Sequence, residues 1–322
     1  MRLDDQTALP DIAVLVPCYN EEAAIEQVVR DFRAALPTAR IYVYDNNSRD
    51  RTVEVARAAG AIVRAEHLQG KGNVVRRMLS DVEADVYVMV DGDSTYEAAS
   101  AAAMVRKLVD DELDMVVGSR VDARVEAYRP GHRFGNAVLT WFVSYLFGKR
   151  FTDILSGYRI FSRRFAKSFP ALSSGFEIET ELTVHALELR MPVAEVPTPY
   201  GARPEGSESK LKTYSDGFKI LWLIMLLFKN EKPFQFFGVV AGVLALVSIG
   251  LAIPIILTYL ETGLVPRLPT AILATGLMVV AFLSLTCGLV LDTVTHGRKE
   301  MKRFAYLTAS ERKAADRLSS RV

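Results

Sequence analysis

Two long stretches of this chain contain no charged residue, and they restrict its fold more than any other feature of the sequence. The first runs from Phe234 to Leu260 and the second from Leu268 to Leu291. Each is longer than the roughly 20 residues that a helix needs to cross the hydrocarbon core of a bilayer. A fully buried helix of a soluble protein is the other explanation, which two successive stretches of this length disfavour. We therefore predict two transmembrane helices.

The distribution of lysine and arginine predicts how these helices are oriented. The link from Glu261 to Arg267 carries one positive residue, and Lys229 and Lys232 precede the first span. The segment after the second span is rich in basic residues: Arg298, Lys299, Lys302, Arg303, Arg312, Lys313, Arg317 and Arg321. Because loops with an excess of Lys and Arg stay in the cytoplasm, we expect an inner-membrane protein whose N-terminal part and C-terminal tail are cytoplasmic.

Three further features concern the compartment and the partners. The polar N-terminus from Met1 to Pro10 lacks an apolar signal core, so we do not expect the N-terminal part to be exported. Cys18 and Cys287 are the two cysteines, which fits a reducing compartment. The formal charge of +1 gives no reason to expect nucleic-acid binding.

Residues 11–118 alternate between short strand-like runs and helix-like segments. Ile12–Val16 and Val86–Val90 are short apolar runs, as buried strands are, and apolar residues between 25 and 36 recur at helical spacing. This alternation predicts an α/β fold with a Rossmann-like, mostly parallel sheet and helices on both faces. The Gly-x-Gly-x-x-Gly fingerprint is absent after the first strand, so a dinucleotide-binding dehydrogenase is disfavoured.

Acidic residues stand directly after two of the predicted strands. Asp45 follows the second strand, and Asp91 and Asp93 follow the fourth with one residue between them. Side chains at i and i+2 of an extended chain share a face, so Asp91 and Asp93 are expected to point together beyond the strand, where open α/β sheets bind ligands. Two hard oxygen donors suit Mg²⁺ or Mn²⁺ holding a diphosphate. A solvated turn explains the same spacing, just as helix N-capping explains Asn20 and Ser48.

Further motifs occur in one order along the first two thirds of the chain. They are Pro17-x-Tyr19-Asn20-Glu21-Glu22, Asp45-Asn46-Asn47-Ser48-x-Asp50-x-Thr52, Gly70-Lys71-Gly72, Asp91-x-Asp93, Gly118-Ser119-Arg120, Thr152-Asp153-x-x-Ser156-Gly157-Tyr158-Arg159, Gly175–Glu179 and Arg203–Lys210. In this order and spacing they resemble the family-2 glycosyltransferases of GT-A fold, in the branch of dolichol-phosphate mannose synthases and polyprenyl-phosphate sugar synthases. The resemblance covers about residues 11–212.

The resemblance implies an enzyme that binds a nucleotide-sugar together with a divalent metal. Asp91 and Asp93 would bind Mg²⁺ or Mn²⁺, which stabilises the negative charge that builds on a leaving diphosphate. The residues implied to bind the nucleotide-sugar are Pro17, Tyr19, Glu21, Asp45, Lys71, Asp91, Gly92, Arg203 and Lys210. The residues implied to be catalytic are Asp93, Arg120 and Asp153. An ordinary surface lysine in a glycine turn remains the alternative for Lys71.

The same resemblance implies a polyprenyl phosphate, here undecaprenyl phosphate, as the acceptor. This acceptor is already an anion, so it requires positioning and charge neutralisation more than deprotonation. Arg120 and Arg133 are the expected lipid-phosphate ligands, because a planar guanidinium binds two phosphate oxygens. Asp153 either orients the acceptor or acts as a base, and a helix N-cap is the alternative for this residue. The implied reaction inverts the configuration of the transferred sugar.

The chain is predicted to divide into four segments. They are a GT-A catalytic domain (1–212), a juxtamembrane interfacial helix (213–232), a two-helix transmembrane anchor (233–293, with spans near 234–260 and 268–291) and a basic cytoplasmic tail (294–322). Two shorter apolar stretches that contain tryptophan, Val138–Phe147 and Ile220–Phe228, are typical of amphipathic helices at the membrane interface. Contact with membrane lipids is therefore expected outside the two spans as well.

Three functions remain open at this point. The first is inverting transfer of a hexose to undecaprenyl phosphate for cell-envelope glycans. The resemblance also implies a homo-oligomer such as a tetramer, because related anchored enzymes are often tetramers. A UDP-sugar is favoured over GDP-mannose as the donor. The second is transfer to another lipid-linked or polysaccharide acceptor, although the Gln-x-x-Arg-Trp signature of processive synthases is absent. The third is a non-catalytic scaffold or nucleotide-sugar sensor, which the presence of Asp91, Asp93 and Asp153 argues against.

Overall fold

The computed structural model describes residues 10–122, 138, 140–145, 148, 151–175, 177–201 and 213–319, with the backbone alone for residues 122, 213–221 and 310–319. These residues form two compact units. The first unit comprises the residues up to Phe218 together with those from Lys302 onward, and the second comprises Lys219–Met301.

The first unit is built on a seven-stranded sheet within the described residues. Its strands are β1 (Ile12–Cys18), β2 (Arg40–Asp45), β3 (Ile62–Ala65), β4 (Val86–Met89), β5 (Met115–Asp122), β6 (Arg159–Ser162) and β7 (Val193–Tyr200). Their order is β3-β2-β1-β4-β6-β5-β7. Strand β6 is antiparallel to β4 and β5, and the other pairs are parallel. The predicted mostly parallel α/β sheet is therefore confirmed.

Helices cover this sheet. They are α1 (Ile25–Ala35), α2 (Thr52–Ala58), α3 (Lys71–Asp81), α4 (Ser100–Asp110), α5 (Arg163–Ser168) and α6 (Ile178–Glu188). Helix α1 buries Ile25, Val28, Val29 and Phe32, which recur at helical spacing. These side chains join a core that also contains residues from β1, β2, β4 and β6.

Three long helices complete the described chain: α7 (Thr213–Glu231), α8 (Pro233–Thr262) and α9 (Leu268–Ser319). The two predicted spans fall within α8 and α9, which are long and apolar enough to cross a membrane. The two helices pack closely in the second unit, since the hydroxyl of Ser248 donates to the carbonyl of Ala274 at 2.7 Å. Helix α9 contributes to both units, because its residues from Lys302 onward belong to the first.

Candidate active site

The carboxyl ends of β1, β2 and β4 meet at one edge of the sheet. Cys18 at the end of β1 is paired with Asp45 at the end of β2. On the other side of β1, the N–H of Val90 donates to the carbonyl of Leu15 at 3.1 Å, immediately before Asp91. The structure therefore brings Asp45 and the Asp91–Asp93 pair to the same edge, where open α/β sheets bind ligands.

The loops after β1 and β2 are joined by side chains that accept hydrogen bonds from backbone N–H groups. Ser48 Oγ accepts from Asn20 at 2.8 Å, and Asn20 Oδ1 accepts from Arg49 at 2.8 Å. Thr52 Oγ1 accepts from Glu21 at 2.9 Å. The N-capping explanation of Asn20 and Ser48 is therefore wrong, because neither side chain caps α1 or α2. These side chains hold the two loops against each other.

This pair of loops surrounds a carboxylate with an unused acceptor. Asp45 is buried, and its Oδ2 accepts from the N–H of Ser48 at 3.2 Å. Its Oδ1 is buried and has no hydrogen-bond partner among the described residues. Pro17 lies in β1, while Tyr19 and the buried Glu21 lie in the loop that follows. The orphaned oxygen is suited to a ligand N–H or hydroxyl.

The turn after β4 holds the two aspartates in different surroundings. Asp93 Oδ1 accepts from Thr95 Oγ1 at 2.6 Å, and Asp93 is only 5% exposed. Asp91 Oδ1 accepts from Lys71 Nζ at 2.5 Å. Gly92 between them lies against β1, because a Cβ at this position would stand 2.6 Å from Cys18 Sγ. The glycine therefore lets the turn pack against β1 without a steric clash.

Lys71 joins this turn to a helix that is distant in the sequence. Its ammonium group also forms an ion pair with Glu179, near the start of α6. Burial alone would lower the pKa of Lys71, but the carboxylates of Asp91 and Glu179 raise the pKa above its ordinary value. Lys71 is thus a largely shielded, charged partner of two carboxylates, and the surface-lysine alternative is wrong. The pairing with Glu179 was missed in the sequence, although Glu179 stands in a matched motif.

Arg120 and Asp153 form a two-point ion pair at the end of β5. Arg120 Nε donates to Asp153 Oδ2 at 2.6 Å, and Arg120 Nη2 donates to Oδ1 at 2.8 Å. Tyr200 packs against the guanidinium, with its ring centre 5.5 Å from Arg120 Cζ. Burial alone would raise the pKa of Asp153, but the hydrogen bonds and charge of Arg120 outweigh burial and lower it. Asp153 is therefore an ionised carboxylate whose position and basicity are set by Arg120.

The segment after Asp153 is braced by a buried arginine and a buried tyrosine. Arg159 donates to the carbonyls of Ile154 and Ser156 at 2.6 and 2.9 Å, and burial lowers the pKa of Arg159 to about 10. The hydroxyl of Tyr96 accepts from the N–H of Gly157 at 2.9 Å. Gly157 lies so close to the carboxylate of Asp91 that a Cβ would collide with it. The role of Tyr96 has no signal in the sequence, because it depends on this long-range approach.

Three predicted site residues lie outside the described residues. They are Arg133, Arg203 and Lys210. Their predicted contacts with the lipid phosphate and the donor therefore remain predictions.

The two carboxylates at the turn after β4 can supply part of the ligand set of a divalent metal. Within the described part of the chain, no group of three or more His, Cys, Asp or Glu side chains could hold a metal. Asp91 and Asp93 provide two carboxylates, and Mg²⁺ is commonly held by one or two carboxylates plus substrate phosphates and water. The residues thus fit an ion whose ligand shell is completed by a diphosphate.

Comparison with known proteins places this chain in a family. The profile described as glycosyl transferase family 2 matches residues 13–168. Glycosyltransferase AglJ of Haloferax volcanii is 36% identical over 247 residues, which cover 76% of this chain and 81% of that protein. The dolichyl-phosphate hexose transferase of the same organism is 30% identical over 210 residues, which cover 65% of this chain and 90% of that protein.

A solved structure shares the fold. Glucosyl-3-phosphoglycerate synthase from Mycobacterium tuberculosis aligns with a TM-score of 0.56 and 22% identity, over 68% of this chain and 80% of that chain. This likeness confirms the predicted GT-A type of α/β fold. The identities to the two Haloferax proteins establish the relationship at the level of sequence. The chain belongs to glycosyl transferase family 2 and is a glycosyltransferase, as its motifs predicted.

Proposed function

We propose that this enzyme transfers a hexose from a nucleotide-sugar to a polyprenyl phosphate at the cytoplasmic face of the inner membrane, with inversion. A UDP-sugar is favoured as the donor and undecaprenyl phosphate as the acceptor, supplying a lipid-linked sugar for cell-envelope glycans. One observation carries the proposal. Asp45, the Asp91–Asp93 pair and Arg120 lie at one sheet edge in a chain with two candidate membrane spans.

Known relatives support this choice of substrates. One relative is named dolichyl-phosphate hexose transferase, which is the reaction class proposed here. The Mycobacterium tuberculosis synthase that shares the fold was crystallised with Mn²⁺ and UDP-glucose. For this chain, the proposal depends on its own carboxylates and arginines.

The donor would lie along the ends of β1, β2 and β4. Asp45 would accept from an N–H or hydroxyl of the nucleoside through its orphaned Oδ1. Asp91 and Asp93 would hold Mg²⁺ or Mn²⁺, which when bound would stabilise negative charge on the leaving nucleoside diphosphate. Arg203 and Lys210 remain the proposed cations for the diphosphate.

The acceptor phosphate would be attracted by Arg120. Asp153 fixes the guanidinium through two hydrogen bonds, so the positive charge is held in one orientation. A carboxylate whose pKa is lowered is a weak base, and a polyprenyl phosphate is already ionised. We therefore propose that Asp153 orients Arg120 rather than removing a proton, with Arg133 as a second phosphate ligand.

Aromatic residues support contact with the membrane interface. The rings of Trp141 and Tyr145 stack with centroids 6.0 Å apart, and the residues are 67% and 64% exposed. Exposed Trp and Tyr are enriched at headgroup depth. We propose that the catalytic domain (1–212) is cytoplasmic and that 233–293 anchors it, with the basic tail on the same side.

A transfer assay with the full-length protein tests the proposal. The purified protein would be incubated with Mn²⁺, undecaprenyl phosphate and a panel of nucleotide-sugars, and the lipid analysed by mass spectrometry. We expect one hexose per lipid from a UDP-sugar. Asp93→Asn should lower turnover about a hundredfold, since a metal contributes several kcal/mol of charge stabilisation, with unchanged thermal unfolding. Absence of any glycosylated lipid, or near-normal turnover by this variant, would contradict the proposal.

A further inference from the structure

Two carboxylates share one ammonium group at the centre of the candidate site, and a third lies close to them in the sequence. Lys71 contacts Asp91 at 2.5 Å and also contacts Glu179, while Asp93 is two residues from Asp91. The side chains of Lys71 and Glu179 are 10% and 6% exposed. Charges that are shielded from water interact strongly. The position of one ammonium group therefore changes how much negative charge at Asp91 is available to a metal ion.

The backbone around Lys71 is fixed by close packing. Gly70 and Gly72 approach the carbonyls of Ser174 and Ser173 so closely that a Cβ at either glycine would collide with them. The N–H of Gly72 donates to the carbonyl of Ser174 at 3.1 Å. Because this backbone is fixed, the ammonium group can change position only by rotation about the side-chain bonds of Lys71.

Glu179 lies on the other side of the ammonium group, in a helical turn that is tied to the segment before it. It lies in the first turn of α6, where two backbone N–H groups of the preceding segment, from Leu172 and Ser173, donate to Glu181 at 2.9 and 2.8 Å. Asp91 is held against Gly157. Two carboxylates thus stand on either side of one ammonium group.

We propose that Lys71 competes with the divalent metal for Asp91, and that Glu179 weakens this competition by drawing the ammonium group toward itself. Lys71 would then be a counter-ion that keeps Asp91 paired before the metal binds. Glu179 would be a positioning residue that acts through Lys71. This inference rests on the metal assignment of the proposed function.

A double-mutant cycle read out by Mn²⁺ binding separates this competition from general electrostatics. Glu179→Gln leaves Lys71 with Asp91 alone and should weaken Mn²⁺ binding roughly tenfold, which corresponds to about 1.4 kcal/mol. Lys71→Met removes the competitor and should strengthen binding by a similar factor. In the Lys71→Met background, Glu179→Gln should change the affinity less than about twofold, because no lysine remains to be repositioned.

The measurement uses the full-length protein in detergent with Mn²⁺ alone, followed by electron paramagnetic resonance of the free ion. Lys107→Met, which removes an exposed lysine paired with Asp111 at 2.8 Å, is the matched control and should leave the affinity unchanged. Thermal unfolding of each variant reports whether it is folded. If Lys71→Met fails to fold, Lys71→Met/Glu179→Gln, which leaves neither charge buried, is compared directly with the wild type.

The outcomes are distinct. Tighter Mn²⁺ binding by Lys71→Met/Glu179→Gln than by the wild type supports the competition. Equal affinities of these two proteins, or an equal effect of Glu179→Gln with and without Lys71, would show that charge alone acts and would overturn it. If the wild type binds Mn²⁺ only when UDP is present, the variants are compared with UDP present. Failure of the wild type to bind Mn²⁺ both alone and with UDP would overturn the metal assignment itself, whatever the variants do.

Discussion

Asp45 is buried, and one of its carboxylate oxygens accepts a hydrogen bond while the other has no hydrogen-bond partner among the described residues. An unpaired buried acceptor costs about 1–3 kcal/mol, and a ligand donor would remove that cost. In Asp45→Asn the remaining oxygen would accept from Ser48, so the amide NH₂ would face the ligand donor. We predict roughly tenfold weaker UDP binding and no loss of thermal stability without ligand. Calorimetry with UDP and thermal unfolding measure both, and a loss of stability with unchanged UDP affinity would indicate a structural role.

The Arg120–Asp153 pair predicts a pH dependence of stability. The folded-state pKa of Asp153 is lowered by Arg120, so the pair stabilises the protein above the unfolded pKa of about 4. This contribution is lost as the pH falls through the folded-state value. We expect Asp153→Asn to cost about 3 kcal/mol near neutral pH.

The difference between wild type and Asp153→Asn should then shrink as the pH falls below about 4. Thermal unfolding of both proteins across this range measures it. A difference that does not depend on pH would show that packing, rather than the ion pair, holds Asp153.

Single residues of the candidate site could be predicted from the sequence where they follow strands. Asp45, Asp91 and Asp93 stand at strand ends, and a parallel sheet places such ends together. Their partners could not be predicted in the same way. Lys71 meets Glu179 across 108 positions, and Arg120 meets Asp153 across 33. These pairs depend on how loops and helices approach one another.

Glycines let the segment before α6 approach the start of α3. A Cβ on Gly72 would collide with the carbonyl of Ser173, so we predict that Gly72→Ala destabilises the protein by about 1–3 kcal/mol through overpacking. Turnover should fall further, because the shift displaces Lys71. Gly201→Ala is the control, since its Cβ would lie 3.8 Å from its nearest neighbour among the described residues. Equal unfolding temperatures of the two variants would refute the argument.

Helices whose apolar residues recur at helical spacing could be predicted from the sequence, and helices without such a pattern could not. Helix α1 places its apolar residues on one face, which the spacing indicated. Helix α6 is buried on nearly every side, including at Thr180, Thr183 and His185. A helix buried all round presents no polar stripe and therefore no amphipathic pattern. Its place beside the candidate site follows from packing alone.

At the scale of the whole molecule, the part of α9 from Lys302 onward belongs to the first unit. Lys302 Nζ of α9 donates to Glu188 Oε2 at 2.6 Å, and Tyr306 donates to Asp114 Oδ2 at 2.9 Å. Asp114 and Glu188 have fully buried side chains. Part of the predicted basic tail is thus ion-paired within the unit that holds the sheet.

These contacts predict that the part of α9 from Lys302 onward stabilises the first unit. Lys302→Met leaves Glu188 buried without its cation, and losing one partner of a buried ion pair costs about 3–5 kcal/mol. Tyr306→Phe removes a hydrogen bond to a charged group, worth about 1.5–3 kcal/mol. Phe304→Ala, at an exposed position of the same helix, should have little effect. Unfolding of the full-length variants in denaturant measures these differences. If both Lys302→Met and Tyr306→Phe are as stable as Phe304→Ala, these contacts contribute nothing to the stability of the first unit.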